Sequence, residues 1–314
     1  MELTPKKIYE DFRKNNIDRN YTAELFISLI DNTDQIDIRL ESIKHLKKIG
    51  LINDKIFHFL ENLFISDTNG KIRCAAAKYI RDFFLDKSLT LIKWAIQYES
   101  DYDCMIMMIQ TLVKLNNDES KSVLIDMIKR IKKIKYLDEN KRIENKKFKK
   151  IAKKLLKGKN DEIFSHQNLA EIIINYLTIS ELTKKFYSVY FELKDFLVVN
   201  LDLSDVEYEV RGWKSDFKNN IKEISEITGL KNLKNLTHLN LSNNQIRNIK
   251  DLINIKNITH LFLYNNKINE IENLEYFKRM ANLKYLDIAG NQIVNYLTLH
   301  DFENIEVNLK KTYF

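Results

Sequence analysis

Residues 236–249 read LTHLNLSNNQIRNI, residues 258–271 read ITHLFLYNNKINEI, and residues 283–293 read LKYLDIAGNQI. The three stretches share one pattern, in which leucine or isoleucine stands at fixed offsets and an asparagine follows three positions after the third apolar residue. The asparagines are Asn244, Asn266 and Asn291, so the repeat length is 22 residues and then 25. Three copies in register indicate an internal repeat.

The alternation of apolar residues within each copy predicts a short strand with one buried face and one free face. The asparagine that follows the strand can satisfy backbone groups where the chain turns inward. Because one copy cannot bury its apolar face alone, the copies are predicted to stack and to form a parallel sheet.

This pattern resembles the leucine-rich repeat family in its short class. The resemblance implies a solenoid with a parallel sheet whose free face is concave. Val199, Leu201 and Leu203 are interpreted as a first, irregular strand, and residues 305–309 as a last one, giving roughly five strands. Between the first strand and Asn219 lies an insertion, about residues 205–218, that contains Trp213 and Phe217.

The N-terminal part has helical apolar spacing up to about residue 128. Thr4 and Pro5 predict a capped helix start, Gly50 predicts a helix end, and Asn53 predicts the cap of the next helix. The stripe of that next helix is Ile56, Phe57, Leu60, Leu63 and Phe64.

A second repeat is visible in these helices. Arg39, Arg73 and Met105 hold matching places, at intervals of 34 and 32 residues, and each interval has room for two helices. The segments around Arg39 and Arg73 resemble the second-helix start of HEAT or armadillo repeats. An irregular helical bundle is the alternative.

The predicted fold is therefore an α plus α/β solenoid, with an N-terminal HEAT/armadillo-like helical array followed by a short leucine-rich repeat arc. The predicted domains are the helical repeats at 1–128, a basic helical segment at 129–160, a helical junction or cap at 161–196, and the leucine-rich repeats with their C-terminal cap at 197–314. Two helices are expected in the junction, near 161–176 and 180–196.

Positive charge is concentrated in one segment. Residues 129–159 hold 15 Lys or Arg against three acidic residues, whereas the whole chain has a net charge of +7. The apolar residues of this segment form a helical stripe, and the opposite face carries Arg142, Lys146, Lys149, Lys150, Lys153 and Lys157. Such a face can bind polyanions such as RNA, DNA or an anionic membrane surface, or it can be an ordinary solvated face in a lysine-rich chain.

Composition excludes several classes. With 44% hydrophobic residues the chain is not disordered, and it contains no apolar run long enough to cross a membrane. Cys74 and Cys104 lack metal-ligand spacing, which favours a reduced cytoplasmic protein.

The sequence contains none of the common catalytic or cofactor-binding motifs: it has no phosphate-binding glycine loop, no serine-hydrolase nucleophile elbow and no zinc-protease helix. His238 and His260 stand one repeat apart and could lie side by side, either as a plain surface ladder or as two ligands of a weak metal site. We therefore predict no catalysis, no cofactor and no metal.

The residues between the buried leucines should face the concave side. Phe262, Tyr264 and Tyr285 are notable, because large rings on a solvent face have no packing reason to be there. Either a protein partner covers them, or the chain's own helices or the Trp213 insertion do. The predicted partner-binding residues are His238, Asn240, His260, Phe262, Tyr264, Tyr285 and Asp287. The sequence thus predicts a non-enzymatic scaffold or adaptor, with polyanion binding through residues 129–159 as the alternative.

Overall fold

The computed structural model describes residues 3–133, 142–156, 164–210, 217–269, 271–292, 302 and 305–309. The first part of the chain is helical. Its helices are α1 Pro5–Arg13, α2 Arg19–Asn32, α3 Ile36–Ile49, α4 Asp54–Ser66, α5 Gly70–Phe83, α6 Leu85–Ala95, α7 Tyr102–Leu115, α8 Asp118–Lys133, α9 Arg142–Leu155 and α10 His166–Lys185.

The second part contains the strands. They are β1 Tyr190–Lys194, β2 Leu197–Asp202, β3 Tyr208–Val210, β4 Phe217–Asn219, β5 His238–Asn240, β6 His260–Phe262, β7 Tyr285–Asp287 and β8 Glu306–Asn308. One further helix, α11 Ile271–Lys278, lies between β6 and β7. Short 3-10 helices at Ile224–Glu226, Leu230–Asn232 and Lys250–Asn254 belong to the segments that return from one strand to the next.

Contacts divide the chain into two compact units. One comprises Met1–Ile128 with Glu162–Ala170, and the other comprises Lys129–Asp161 with Glu171–Phe314. In the first unit α2 packs on α3, α4 on α5 and α6 on α7, while α5 also packs on both α3 and α7. The helical array predicted from the sequence is confirmed.

The local signals of this unit are where the sequence predicts them. The Thr4 side chain accepts a hydrogen bond from the Lys7 N–H, and Asn53 accepts one of 2.8 Å from the Ile56 N–H. Gly50 ends α3 with a φ of 61°, a left-handed conformation that glycine adopts without strain. The predicted stripe of α4 is buried.

The matching residues of the helical repeat occupy the same place, the fourth residue of α3, α5 and α7. Arg39 on α3 pairs with Asp67, which precedes α5. Arg73 on α5 pairs in the same way with Glu99, which precedes α7, through bonds of 2.9 and 2.6 Å. Met105 has no charge with which to continue the series. The two arginines therefore link successive helix pairs.

The segment 161–196 differs from the prediction of two helices. Its described part, residues 164–196, contains one helix, α10, followed by β1, which pairs antiparallel with β2. The Thr178 hydroxyl donates to the Ile174 carbonyl within the continuing helix, and no Gly or Pro interrupts it. From Tyr190 on, side chains alternate across a sheet, with Tyr190 71% exposed and Phe191 3% exposed.

Six strands form the main sheet, in the order β1-β2-β5-β6-β7-β8. All neighbours after β2 pair in parallel, which confirms the predicted repeat sheet. The inward leucines of β5 and β6 and those that follow them have no exposed surface, as predicted; they are Leu239, Leu241, Leu261 and Leu263. In β2 the inward residue is Val198 instead of Val199, because the β1–β2 register shifts there and leaves Val199 as the extra residue of a bulge.

The repeat asparagines join one coil to the next. The Asn266 amide donates to the carbonyls of Leu241 (2.9 Å) and Leu263 (3.1 Å), and its Oδ1 accepts from the Ile246 N–H (3.0 Å). The other two repeat asparagines make the equivalent bonds, and all three side chains are nearly inaccessible to solvent. These bonds fix the position at which each strand ends.

The residue before each repeat asparagine is in the left-handed region. Asn243, Asn265 and Gly290 have φ angles of 56°, 52° and 73°. A Cβ at Gly290 would lie 3.2 Å from the Asn265 Cα and backbone nitrogen, so the turn after β7 is in close contact with the preceding turn. The insertion after β2 contributes the antiparallel pair β3–β4, and Trp213 lies outside the described residues.

Candidate partner-binding face

Side chains between the buried leucines form two rows on the face of the sheet opposite the core, which we call the open face. The first row contains His238, His260 and Tyr285, which are register partners on β5, β6 and β7. The second row contains the next outward residues of the same strands, Asn240, Phe262 and Asp287. The seventh predicted residue, Tyr264, follows β6 on the same side as Phe262.

The rows continue onto strands that the sequence-based site did not include. Asn200 of β2 and Glu192 of β1 extend the first row at one end, and Glu306 of β8 extends it at the other. Asp202, Tyr190 and Asn308 extend the second row in the same manner. The signal that could have found the β1 residues is the alternation of Tyr190, Phe191 and Glu192.

Two stacked histidines lie at the middle of the first row. The rings of His238 and His260 are 4.2 Å apart between centroids and only 8° from parallel. Each Nδ1 lies 2.9 Å from the hydroxyl of the preceding threonine, Thr237 or Thr259. Each of these hydroxyls also lies 3.1 Å from a backbone carbonyl to which it can donate, and in that arrangement Nδ1–H donates to the hydroxyl. With Nδ1 as the donor, a neutral imidazole presents Nε2 as a hydrogen-bond acceptor.

The aromatic rings extend this stack. Tyr285 lies 5.9 Å from His260 and 5.3 Å from Phe262, measured between ring centroids. The Tyr264 ring lies against the turn at Gly290. All of these side chains are half-buried. The rings of His238, His260, Tyr285 and Phe262 therefore form one continuous cluster on the open face.

The expectation that residues between the buried apolar positions face the concave side is wrong for Ala289. By that alternation Ala289 should be accessible after β7, as the half-buried Ser242 is after β5, but it is buried. Ala289 belongs to the turn in close contact with Asn265, whose N–H donates to its carbonyl. Because the two turns approach each other closely, the Ala289 side chain is covered.

The surroundings shift two pKa values on the open face. Burial lowers the pKa of His238, and the neighbouring His260 acts in the same direction while Glu192 opposes it. Burial also raises the pKa of Tyr285, with the carboxylates of Asp287 and Glu306 adding to that shift. His238 and Tyr285 are therefore both neutral at pH 7.

The charged side chains of the two rows are all negative. Glu192, Asp202, Asp287 and Glu306 belong to the two rows, and neither row contains Lys or Arg. Lys194 and Lys284 stand at strand ends outside both rows.

The basic helix α9 is amphipathic, as predicted. Its apolar residues Phe148, Ile151, Ala152 and Leu155 are buried. The Phe148 ring packs 5.6 Å from Phe191 and 5.4 Å from Tyr176, measured between ring centroids. Lys147 donates to the Phe191 carbonyl and lies over the ring of that residue.

The lysines proposed for polyanion binding lie on the opposite side of α9. Lys146, Lys150 and Lys153 are exposed and Lys149 is half-buried. The Arg142 side chain and Lys157 fall outside the residues whose side chains the structure describes.

Within the described ranges, no three His, Cys, Asp or Glu side chains are grouped so that they could hold a metal ion. None of the described helices is long and apolar enough to cross a membrane.

Comparison with known proteins supports the repeat assignment. Residues 256–304 match the family model described as Leucine Rich repeats (2 copies), so the C-terminal part of the chain contains leucine-rich repeats. No curated protein matches the chain. Leucine-rich repeats are in general modules of protein interaction.

Two solved structures are similar to part of the chain. An internalin C2 from Listeria monocytogenes is 31% identical over 29% of this chain and 38% of its own length, with a TM-score of 0.25. A further internalin from the same organism is 28% identical over 31% of this chain and 26% of its own length, also with a TM-score of 0.25. The chain therefore spans well under half of either internalin.

Proposed function

We propose that this chain is a non-enzymatic scaffold or adaptor that binds a protein partner on the open face of its leucine-rich repeats. The single observation that carries the proposal is the continuous ring cluster of His238, His260, Tyr285 and Phe262. These rings lie opposite a core that is already complete without them, because the leucines between them are fully buried. Aromatic side chains that are rigid and half-buried are favoured at the centres of protein interfaces.

Truncation of a ring tests the proposal. Phe262→Ala and Tyr264→Ala should weaken partner binding by about 2 kcal/mol or more, since central aromatic residues dominate interface energies. The melting temperature should remain nearly unchanged, because the rings contribute little to the core. Binding is measured by retention of partners from the native cell on the immobilised chain, followed by titration of the retained protein.

The matched control is Tyr21→Ala, which removes a half-exposed ring from α2. It should leave partner retention intact. A large fall in melting temperature for Phe262→Ala, or equal retention by the variant and the control, would contradict the proposal.

A second candidate function is polyanion binding by α9. The observation that favours it is that α9 buries its apolar face while it exposes Lys146, Lys150 and Lys153 on the other side. Neutralisation of phosphates by such a row gives an affinity that falls with salt and is independent of sequence. Its readout is retention on heparin or RNA as salt is raised.

A further inference from the structure

We infer that the partner segment held by the open face is cationic, a stretch of polypeptide that brings Lys or Arg side chains onto the ring cluster. The inference rests on the proposed function and specifies the chemistry of the partner. Four features of the open face support it: its charge, its hydrogen-bonding capacity, its aromatic ring faces and the dispensability of its carboxylates for folding.

The charge of the open face is opposite to that of the chain. The chain as a whole has a net charge of +7, but residues 129–159 alone supply 15 minus 3, or +12, so the rest of the chain sums to −5 and holds both signs in nearly equal number. The two rows instead carry Glu192, Asp202, Asp287 and Glu306 and no basic side chain. Complementary potentials across interfaces exclude wrong partners and steer right ones, so this face selects for a positive partner and against nucleic acid.

Hydrogen-bonding capacity leads to the same partner. When Nδ1–H donates to the threonine hydroxyl, a neutral imidazole presents Nε2 as an acceptor, and the rings of His238 and His260 lie between the carboxylates of the first row. Because both the histidines and the carboxylates present acceptors, the partner must supply hydrogen-bond donors. Lys and Arg supply donors and carry no acceptor of their own.

The ring faces add a third type of contact. Phe262 lies between Asn240 and Asp287 in its row, with the Tyr285 ring 5.3 Å away. A guanidinium or ammonium group over an aromatic face is attracted by the ring, and a carboxylate beside that ring strengthens the attraction. An Arg placed on Phe262 could also reach Asp287.

The negative charges of Asp202 and Asp287 are not needed to form the turns that follow β2 and β7. Asp202 accepts a bond from the Ser204 N–H (2.8 Å), and Asp287 accepts one from the Ala289 N–H (3.1 Å). Asn240 makes the same bond to the Ser242 N–H (3.0 Å) with a neutral amide. Since asparagine performs the structural task, the negative charge at the other two positions is available for binding.

The test uses a library of random peptides selected on the full-length chain. The selected peptides should be enriched in Lys and Arg. The variant Asp202→Asn with Asp287→Asn should weaken their binding about threefold to tenfold at low salt, the range expected for two solvent-accessible charge pairs. The difference should shrink as salt is raised. The control is Asp251→Asn with Glu275→Gln, two exposed carboxylates on a 3-10 helix and on α11, outside the sheet.

The outcomes separate the inference from the function on which it rests. Peptides that lose affinity with Phe262→Ala but are neutral or acidic, or bind the Asp202/Asp287 variant equally well, would overturn the cationic partner and leave the open-face function standing. Failure to select any peptide whose binding depends on Phe262 would overturn both. A thermal melt of the double variant that matches the wild type confirms that charge, and not folding, has changed.

Discussion

At the scale of single residues, the repeat asparagines connect one coil to the next, because the carbonyls of Leu241 and Leu263 each accept bonds from the asparagines of two successive coils. Asn266 is 6% exposed; its amide donates to the Leu241 carbonyl of the preceding coil and to the Leu263 carbonyl of its own coil, and its Oδ1 accepts from the Ile246 N–H of the preceding coil. A buried polar group without a partner costs about 1–3 kcal/mol, which exceeds the net gain from a typical hydrogen bond. The asparagine is therefore needed for stability mainly because its removal would leave a buried backbone N–H without a hydrogen-bond partner.

Asn266→Ala should lower the free energy of unfolding by about 1–3 kcal/mol, because it leaves the Ile246 N–H buried without a partner and removes one of the two amide donors to the Leu241 carbonyl, which keeps Asn244. Urea titration provides the measurement. The control is Asn282→Ala, which removes an exposed amide that donates to the Lys256 carbonyl and should cost under about 0.5 kcal/mol. Equal losses for the two variants would show that the asparagine bonds are not structural.

His238 links the open face to pH. Its folded pKa is lowered by burial and by His260, whereas in the unfolded chain it titrates near 6.5. As pH falls below that value the unfolded chain binds the proton first, so stability is full at neutral pH and is lost towards the lowered folded pKa.

His238→Gln should therefore reduce the loss of stability on acidification, because the variant has no proton to take up at this position. The urea midpoint measured between about pH 8 and pH 5 covers this window. An acid dependence identical to that of the wild type would mean that His238 titrates alike in the folded and unfolded chains.

At the scale of elements, each repeat strand has one face for the core and one for the surface. On β6, Leu261 has no exposed surface and pairs with Leu239 and Leu286, whereas the neighbouring Phe262 is half-buried on the open face. The energetic contribution of these adjacent residues should differ accordingly.

Leu261→Ala should cost about 2–5 kcal/mol, the range for removing a fully buried leucine side chain. Phe262→Ala removes a larger side chain from the same strand and should cost clearly less. Both are measured by urea unfolding. A loss below about 1 kcal/mol for Leu261→Ala would mean that the strand faces the other way.

The repeat strands could be predicted from sequence because their evidence is local and repeated. The same residue types recur at the same offsets around Asn244, Asn266 and Asn291, so each copy supports the others. The helical pairs were predictable for the same reason. The open-face residues of β5, β6 and β7 then follow from the alternation of side chains in a strand.

The first and last strands could not be predicted as well. The segment before β2 has apolar residues spaced as Leu182, Phe186, Tyr190 and Leu193, which fits a helix, while Tyr190 to Leu193 also alternates as in a strand. Pairing with β2 decides between helix and strand, and no local pattern in the sequence shows that this pairing will form. Val206 stands where the repeat asparagine would be, so the β2 copy lacks the signal that identifies the others. Asp202 and Glu192 were missed as a consequence.

At the scale of the whole molecule, different structural elements carry the positive and the negative charges of the two candidate binding surfaces. The exposed Lys146, Lys150 and Lys153 belong to α9, and the carboxylates of the open face belong to strands of the main sheet. A single net charge of +7 conceals this separation. The two candidate functions therefore require ligands of opposite sign, polyanions for the helix and cationic polypeptide for the sheet.

Charge variants of the two surfaces should consequently affect different ligands. Changing the α9 lysines to glutamine should lower the salt at which the chain leaves heparin, yet leave binding of cationic peptides unchanged at about 0.15 M salt, where screening limits a surface charge to about 8 Å. The variant Asp202→Asn with Asp287→Asn should do the reverse. The residues changed on α9 are Lys146, Lys149, Lys150 and Lys153.

The matched control removes four exposed lysines from the repeats and should show whether heparin retention follows net charge alone. These are Lys231, Lys234, Lys250 and Lys256. If the control variant elutes from heparin at the same salt as the α9 variant, retention reflects the net charge and α9 is an ordinary solvated face. If only the α9 variant elutes early and its peptide binding is intact, the helix and the sheet are separate binding surfaces, because a shared site would lose both ligands together.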